Sequence, residues 1–270
     1  MFGIDAGGTY IKLGEPITDV MEMHPLPYSK EWMRHQLDGT TPPYLLTGAG
    51  SSTIRSWLPN VEFEMVPELQ AIGLGGAYLA GMKECIVINI GSGTPILFVD
   101  LPEKRVEHVS GTGMGSASLA GLSYYMTGIY DLDRIEEKAF EGEPKRVDLL
   151  IRDIYENPDL VKLPGDVTAS NFGKYQDWRH IGLDRRPDVS DLLAGLHKMV
   201  AETIAVMASL ACRQGPKNGL TVVVTGGGTL NQALMKYVRI SFDYLKQPYI
   251  IPKKAVYSTL HGLFVFKDLI

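Results

Sequence analysis

Directly after the apolar start Met1-Phe2-Gly3-Ile4, residues 5–12 read Asp-Ala-Gly-Gly-Thr-Tyr-Ile-Lys. The order is a short strand, an acidic residue, a glycine turn closed by Thr9, and a second strand from Tyr10 to Gly14. Gly7 and Gly8 let the backbone turn tightly and leave its N–H groups unscreened by any Cβ. Those N–H groups and the Thr9 hydroxyl can hold phosphate oxygens, Lys12 can neutralise charge, and Asp5 can hold a magnesium ion through water. A glycine turn of this kind also suits an ordinary hairpin. The Asp before it and the Lys after it tilt the reading toward nucleotide phosphate. A second chemical group stands in Val66-Pro67-Glu68-Leu69-Gln70, which puts one carboxylate at a strand-to-helix junction. Transfer of a phosphoryl group to an alcohol needs a carboxylate that orients the hydroxyl and takes its proton. The positive end of a helix favours an ionised Glu68. The spacing alone suits a helix-capping glutamate equally well.

The phosphate device recurs. Residues 85–99 again run strand, polar residue (Asn89), Gly-x-Gly-Thr turn (Gly91-Ser92-Gly93-Thr94), strand. A third cluster, Thr225-Gly226-Gly227-Gly228-Thr229, ends the β-rich run 220–224 and precedes a helical pattern. A repeated strand–turn–strand unit predicts two related lobes facing one cleft, here 1–82 and 83–270. Strands are expected near 2–5, 10–14, 44–46, 61–66, 85–90, 95–100, 105–109, 220–224 and 248–251. Helices are expected over 29–37, from 52, over 67–82 and 116–127, over 191–213 and 230–240, and from 256. Residues 131–183 read as short helices and loops. Over 191–213, Leu192, Leu193, Leu196, Met199, Val200, Ile204, Met207, Leu210 and Ala211 keep i, i+3, i+4 spacing. Strands alternating with helices over short connections mean an α/β fold.

The composition suits an enzyme of one compact body. The chain has 270 residues, 45% of them hydrophobic and 21% charged, enough to bury a full core. A net charge of -5 without any Lys/Arg run argues against a nucleic-acid partner. No uninterrupted apolar stretch approaches a membrane span, and Asp5 stands where a signal peptide would be apolar, so no membrane partner is expected. Cys85 and Cys212 lie far apart in apolar runs, as expected of core residues in a reducing cytoplasm. Gly173-Lys174 is followed by Tyr175, which rules out a P-loop, and no dinucleotide fingerprint, nucleophile elbow, His-Glu-x-x-His or Cys-x-x-Cys occurs. His197 falls inside the helical apolar pattern, where a structural role is expected.

Two facing phosphate hairpins followed by a glycine turn resemble the actin-like ATPase superfamily, which includes the sugar kinases. More narrowly, nearly the whole chain resembles the type II pantothenate kinases, the eukaryotic-like enzymes that start coenzyme A synthesis. The carriers are residues 5–12, Pro67-Glu68-Leu69, Asn89-Ile90-Gly91-Ser92-Gly93-Thr94, Gly111-Thr112-Gly113-Met114-Gly115, and the diagnostic Leu163-Pro164-Gly165-Asp166-Val167-Thr168-Ala169-Ser170-Asn171-Phe172-Gly173. The resemblance implies a two-lobed actin-like fold, a duplicated ribonuclease H-like unit, with MgATP in the cleft and pantothenate as acceptor. By it, Asp5, Ala6, Gly7, Gly8, Thr9 and Lys12 cradle the phosphates and the metal, and Glu68 is the catalytic base. Ser92, with Gly93 and Thr94, lies at the junction of nucleotide and substrate. Gly115, Ser116, Ala117, Ser118, Leu119 and Ala120 lie where the nucleotide meets a helix start, and Gly228 where adenosine is held. The family is a homodimer through its long helix, 191–213 here, and Thr168 and Ala169 lean toward pantothenate in the neighbouring subunit.

Two positions depart from the family. His108 stands where an arginine usually binds the carboxylate side of the substrate, and Pro95 stands where a serine usually touches it. Arginine offers a permanent bidentate charge, whereas a neutral imidazole offers one hydrogen bond. The acceptor site is therefore altered while the ATP motifs are complete. Two other readings stay open: a kinase of a related small alcohol or amino sugar, and a catalytically weak nucleotide-binding regulator.

Overall fold

The computed structural model describes residues 1–156, 162–175, 187–214 and 219–270. Of the stretch read as short helices and loops, 157–161 and 176–183 lie outside the described residues. Strands β1 (Gly3–Ala6), β2 (Tyr10–Glu15) and β3 (Val20–Pro25) form an antiparallel meander. β4 (Tyr44–Thr47) runs parallel to β1, and β5 (Phe63–Met65) parallel to β4, giving the order 3-2-1-4-5. The second half repeats this plan. β6 (Glu84–Asn89), β7 (Thr94–Asp100) and β8 (Arg105–Thr112) form the meander, and β9 (Leu149–Leu150) pairs with β10 (Thr168–Ser170) in a separate ribbon. β11 (Val222–Thr225) then runs parallel to β6, and β12 (Tyr249–Ile250) parallel to β11. Both five-stranded sheets thus share one strand order. The repeat seen in the hairpins extends to the whole sheet, and the chain is α/β as expected.

The central parallel strands are buried on both faces, which is why they read as continuous apolar runs. Ile4, Ala6, Leu45, Leu46, Cys85, Ile86, Val87, Ile88, Val222, Val223 and Val224 are all fully buried. Around the sheets lie α1 (Lys30–Leu37), α2 (Ser51–Trp57), α3 (Glu68–Ala80), α4 (Ser116–Thr127), α5 (Leu132–Glu141), α6 (Ile151–Ile154), α7 (Val189–Gln214), α8 (Gln232–Leu245) and α9 (Ser258–Phe266). Ser29 caps α1 by accepting the Trp32 N–H at 3.1 Å, which sets its start. α7 buries Leu196, Val200, Ile204, Ala208 and Cys212 against the second sheet and α8. Cys85 is also fully buried, and burial pushes both thiols up to about 12, so neither is reactive.

Several expectations shift. β3 escapes the sequence because it is an edge strand with half its residues exposed, none buried and no apolar run. Pro67 precedes the helix as its cap instead of occupying its first turn, since its ψ of 131° is extended. Gly111 and Thr112 belong to β8, carried there by pairing with Pro95 and Thr94. α7 is long and apolar enough, by length and composition, to cross a membrane, although Lys198 and Glu202 interrupt its apolar run. Its most apolar window is 61% buried inside this chain, so the apolar face serves the core of the second lobe.

The two lobes are joined by exchange of their helices. α3 follows the first sheet but packs on the second: Gly73 lies against Val99 and Val106, and Gly76 against Val87 and Thr225. α9 follows the second sheet but packs on the first, where Leu260, Leu263 and Phe264 cover Gly3, Leu45 and Val66. Where α3 and α9 cross, a Cβ on Gly75 would lie 1.7 Å from the Ser258 carbonyl oxygen, and one on Gly262 would lie 1.8 Å from that of Ala71. The crossing is therefore backbone against backbone. Overpacking at such a contact costs on the order of 3 kcal/mol or more. Gly75→Ala or Gly262→Ala should accordingly lower the melting temperature by roughly 5–10 °C. Gly121→Ala, in the exposed middle of α4 with nothing within 4 Å of its would-be Cβ, should instead stabilise by about 0.5–1 kcal/mol. Thermal denaturation followed by circular dichroism checks the contrast, and equal shifts would refute the close crossing.

Candidate active site

A cleft of about 890 Å³ opens between the two sheets, at the ends of β1, β4, β6 and β11 where their loops meet. Both glycine hairpins reach it. A Cβ on Gly8 would lie 3.0 Å from the Ser92 hydroxyl, and one on Gly7 only 2.8 Å from the Tyr10 carbonyl oxygen. The two turns therefore face each other across the cleft with room for backbone alone. Asp5 and Lys12 are direct cross-strand partners in the β1–β2 register, and their side chains pair at 2.9 Å while almost fully buried. Lys12 is thus held by a carboxylate where the sequence left it free to meet phosphate. The register puts these two opposite charges on the same face of the hairpin.

Glu68 enters from the start of α3. Its junction is held by the buried Thr47, whose hydroxyl donates to the Val66 carbonyl at 2.8 Å, and by the Val66 N–H, which donates to Leu46 at 2.9 Å. Glu68 faces the open cleft, yet the walls around it remove enough water to push its carboxyl above the usual glutamate range. The nearby Asp5 charge adds to the rise and Lys12 opposes it. The helix terminus alone would predict the reverse, so desolvation outweighs the helix dipole here.

The second hairpin also builds the far wall. The Ser116 N–H donates to Gly91 at 2.8 Å and the Ala117 N–H to Ser92 at 3.3 Å, while Thr94 Oγ1 donates to Met114 at 2.8 Å. The first amides of α4 are therefore committed to the protein, leaving its side chains to line the cleft. The third glycine cluster closes that end: the Gly228 N–H donates to Ile90 at 2.7 Å, and Gly226 has a left-handed φ of 93° that a side chain would strain.

The wall brings together Asp5, Gly7, Gly8, Thr9, Lys12, Glu68, Ser92, Gly93, Thr94, His108, Ser116, Ala117, Leu119, Ala120 and Gly228. Other expected residues stand behind it or away from it. Ala6 is fully buried and accepts the Gly50 N–H, Gly115 caps α4, and the Ser118 hydroxyl turns back to Gly113. Thr168 and Ala169 sit on β10, outside the cleft of their own chain, with the Thr168 hydroxyl bonded to Lys198 Nζ. His108 reaches the cleft beside Pro95 through a β-bulge. Ile96 pairs with Ser110 and Leu97 with His108, leaving Val109 as the extra residue that re-aims the strand.

The sequence reading missed several lining residues. Asn89 occupies, in the second repeat, the place Asp5 holds in the first, a signal present in the repeat itself. Leu132, Asp133, Ile135 and Glu136 come from α5, inside the stretch read as short helices and loops, and Leu230, Asn231 and Thr259 come from the starts of α8 and α9. Among the described residues no group of three or more His, Cys, Asp or Glu could hold a metal ion. The Asp5 carboxylate beside the glycine turns fits magnesium, which binds through few protein oxygen ligands, waters and substrate phosphates.

Comparison with known proteins gives this geometry its context. The chain is 28% identical over 278 residues to a type II pantothenate kinase of Staphylococcus aureus (strain USA300), covering 98% of this chain and 99% of that protein. In fold it is similar to component A of the (R)-2-hydroxyglutaryl-CoA dehydratase of Acidaminococcus fermentans, with a TM-score of 0.61 at 15% identity over 100% of this chain and 98% of the other. It is also similar to the Clostridium difficile activator of 2-hydroxyisocaproyl-CoA dehydratase with bound ADPNP, with a TM-score of 0.59 at 16% identity over 100% and 95%. The fold is that of the actin-like ATPases. The Fumble family model matches residues 76–257, which take in the end of α3, the whole second sheet and α4 to α8. Facing glycine hairpins, a carboxylate at the head of α3 and this match agree: the chain belongs to the Fumble family, that of the type II pantothenate kinases.

Proposed function

We propose that the chain transfers the γ-phosphoryl group of ATP to pantothenate, giving 4′-phosphopantothenate and ADP, the first step of coenzyme A biosynthesis. The observation that carries this reading is the convergence of both glycine hairpins and Glu68 on one cleft, in a chain of the Fumble family. The amides of Gly7, Gly8 and Ser92 and the Thr9 hydroxyl bind phosphate oxygens. Asp5 would hold a magnesium ion through water, which would supply positive charge beside the transferring group. Lys12, released from part of its pairing with Asp5, adds positive charge near the same oxygens. Glu68 accepts the proton of the acceptor hydroxyl as its oxygen bonds to phosphorus and the bond to the ADP oxygen breaks. Gly228 and α4 hold the nucleoside end.

Finer features belong to the same proposal. α7 presents Val206 and Leu210, each 45% exposed, on the face away from the core, where a second copy would cover them in a homodimer. That dimer would carry Thr168 and Ala169 of one subunit toward the other's acceptor pocket. Buried, unreactive Cys85 and Cys212 suit a cytoplasmic enzyme. A second reading has one observation in its favour: His108 and Pro95 stand together on the acceptor wall, which suits a related small alcohol or amino sugar. An ADP-release assay across pantothenate and candidate alcohols tests both readings.

Glu68→Gln should lower kcat about a hundredfold or more while ATP affinity and melting temperature stay near wild type. Because burial raises its carboxyl, the acid limb of the kcat/KM profile should lie above the ordinary glutamate range and vanish in the variant. Activity within a few-fold of wild type would leave Glu68 only a helix cap. His108→Arg should lower the Michaelis constant for pantothenate, since a charge-assisted hydrogen bond is worth roughly 1.5–3 kcal/mol. An unchanged or lost pantothenate activity would favour the other acceptor. Specific activity should fall on dilution below the dimer dissociation constant, and a fully active monomer in light scattering would reject the shared pocket.

A further inference from the structure

His197 lies in the first half of α7, fully buried, where the apolar spacing of the helix calls for a core residue. Its two ring nitrogens are nonetheless both used. Nδ1 lies 2.7 Å from the Leu193 carbonyl oxygen, which can only accept, so Nδ1 carries the proton. Nε2 is then an acceptor, and the atom facing it at 3.3 Å is Nδ2 of Asn231. Asn231 therefore donates, which settles the orientation of its amide. The opposite oxygen, Oδ1, accepts the Leu234 N–H at 2.8 Å and caps α8.

Asn231 is also a wall of the cleft and the last residue of its third glycine turn. Its own N–H donates to Gly228 at 3.2 Å, and Gly228 is tied to Ile90 at the base of the second hairpin. The next residue, Gln232, donates its N–H to Glu136 Oε1 at 2.8 Å, and Glu136 stands on the facing wall supplied by α5. Between these walls Leu119, Leu132, Ile135 and Leu230 offer the apolar surfaces that a flat purine base needs. A buried imidazole needs partners for both nitrogens to offset its desolvation, a demand that leucine at this core position would not make.

We infer that His197 is a positioning residue for the nucleoside end of the cleft, acting through Asn231 on the Gly227–Leu230 turn. The inference rests on the reading of this cleft as the ATP site. Burial holds the imidazole neutral, pushed down to about 4, so the lock persists at any pH where the enzyme would work.

His197→Leu keeps the volume and removes both hydrogen bonds. It should weaken ATP binding and raise the Michaelis constant for ATP about tenfold, the scale of one lost internal hydrogen bond, with kcat and the acceptor constant within twofold. His197→Gln, whose amide can both donate and accept, should recover most of the loss. Asn231→Asp supplies an independent test outside the core: it keeps the cap on α8 but presents an acceptor to Nε2, and it should weaken ATP binding similarly. Direct titration of the full-length protein with ATP, alongside kinetics and thermal melting, reads these effects. ATP affinity unchanged in both His197→Leu and Asn231→Asp, with only the melting temperature lowered, would make His197 a core residue and overturn the inference. A wild-type protein that binds no ATP would overturn the reading of the cleft itself, and the inference with it.

Discussion

The crossing of α3 and α9 is the contact on which the rest of the molecule depends. Each helix leaves its own sheet and packs on the other, and they meet at Gly75 and Gly262 with backbone against backbone. Such an exchange makes neither lobe complete alone, because each sheet owes part of its cover to a helix encoded with the other. It also places both helix starts in the cleft, Glu68 from α3 and Thr259 from α9. The geometry of the site follows from this packing, since a shift along the crossing would carry the carboxylate with it.

Within the cleft, electrostatics is arranged around few charges. Asp5, Lys12 and Glu68 face the same space, and the first two neutralise each other across the hairpin. Burying an ion pair is costly unless its partners are well placed, so a pair lining an open cleft is suited to exchange partners when a charged ligand enters. Glu68 lies near enough to both that each shifts its proton affinity, in opposite directions, on top of the larger influence of desolvation. A carboxylate poised above its usual range is better matched to taking a proton near neutrality. Asp5, Lys12 and Glu68 thus form one coupled electrostatic unit beside the two glycine turns.

The far end of the cleft is organised differently, mainly by hydrogen bonds between neutral groups, with the Glu136 carboxylate accepting one of them. The glycine turn at 226–230 is held by Ile90, Ala255 and Asn231, and the helix α8 that follows it is tied to α5 through Glu136 and to α7 through His197.

How much of this was legible beforehand depends on the range of each signal. Asp5, the glycine turns, Glu68 and the repeat were readable because turn chemistry and period-two strands are local, spanning a few residues each. The long apolar spacing of α7 was readable for the same reason, although its burial against the second sheet was not. What only the tertiary structure decided are the meetings of distant segments. α5 brings Asp133 and Glu136 to the cleft from a stretch whose sequence shows short helices but not where they pack, and β3 pairs with β2. Lys12 is bound to Asp5 because strand register, not composition, sets which side chains face each other. His197 looked like a core residue by its spacing and is one by burial, yet its second nitrogen is directed by Asn231, a partner on another helix. The sequence by itself determined the chemistry available and the α/β plan, because glycine conformation, charge and periodicity act within a few residues. The tertiary structure decided which of those groups meet, because helix exchange between the lobes and the burial of both sheets are settled only when segments far apart in the chain exclude water together.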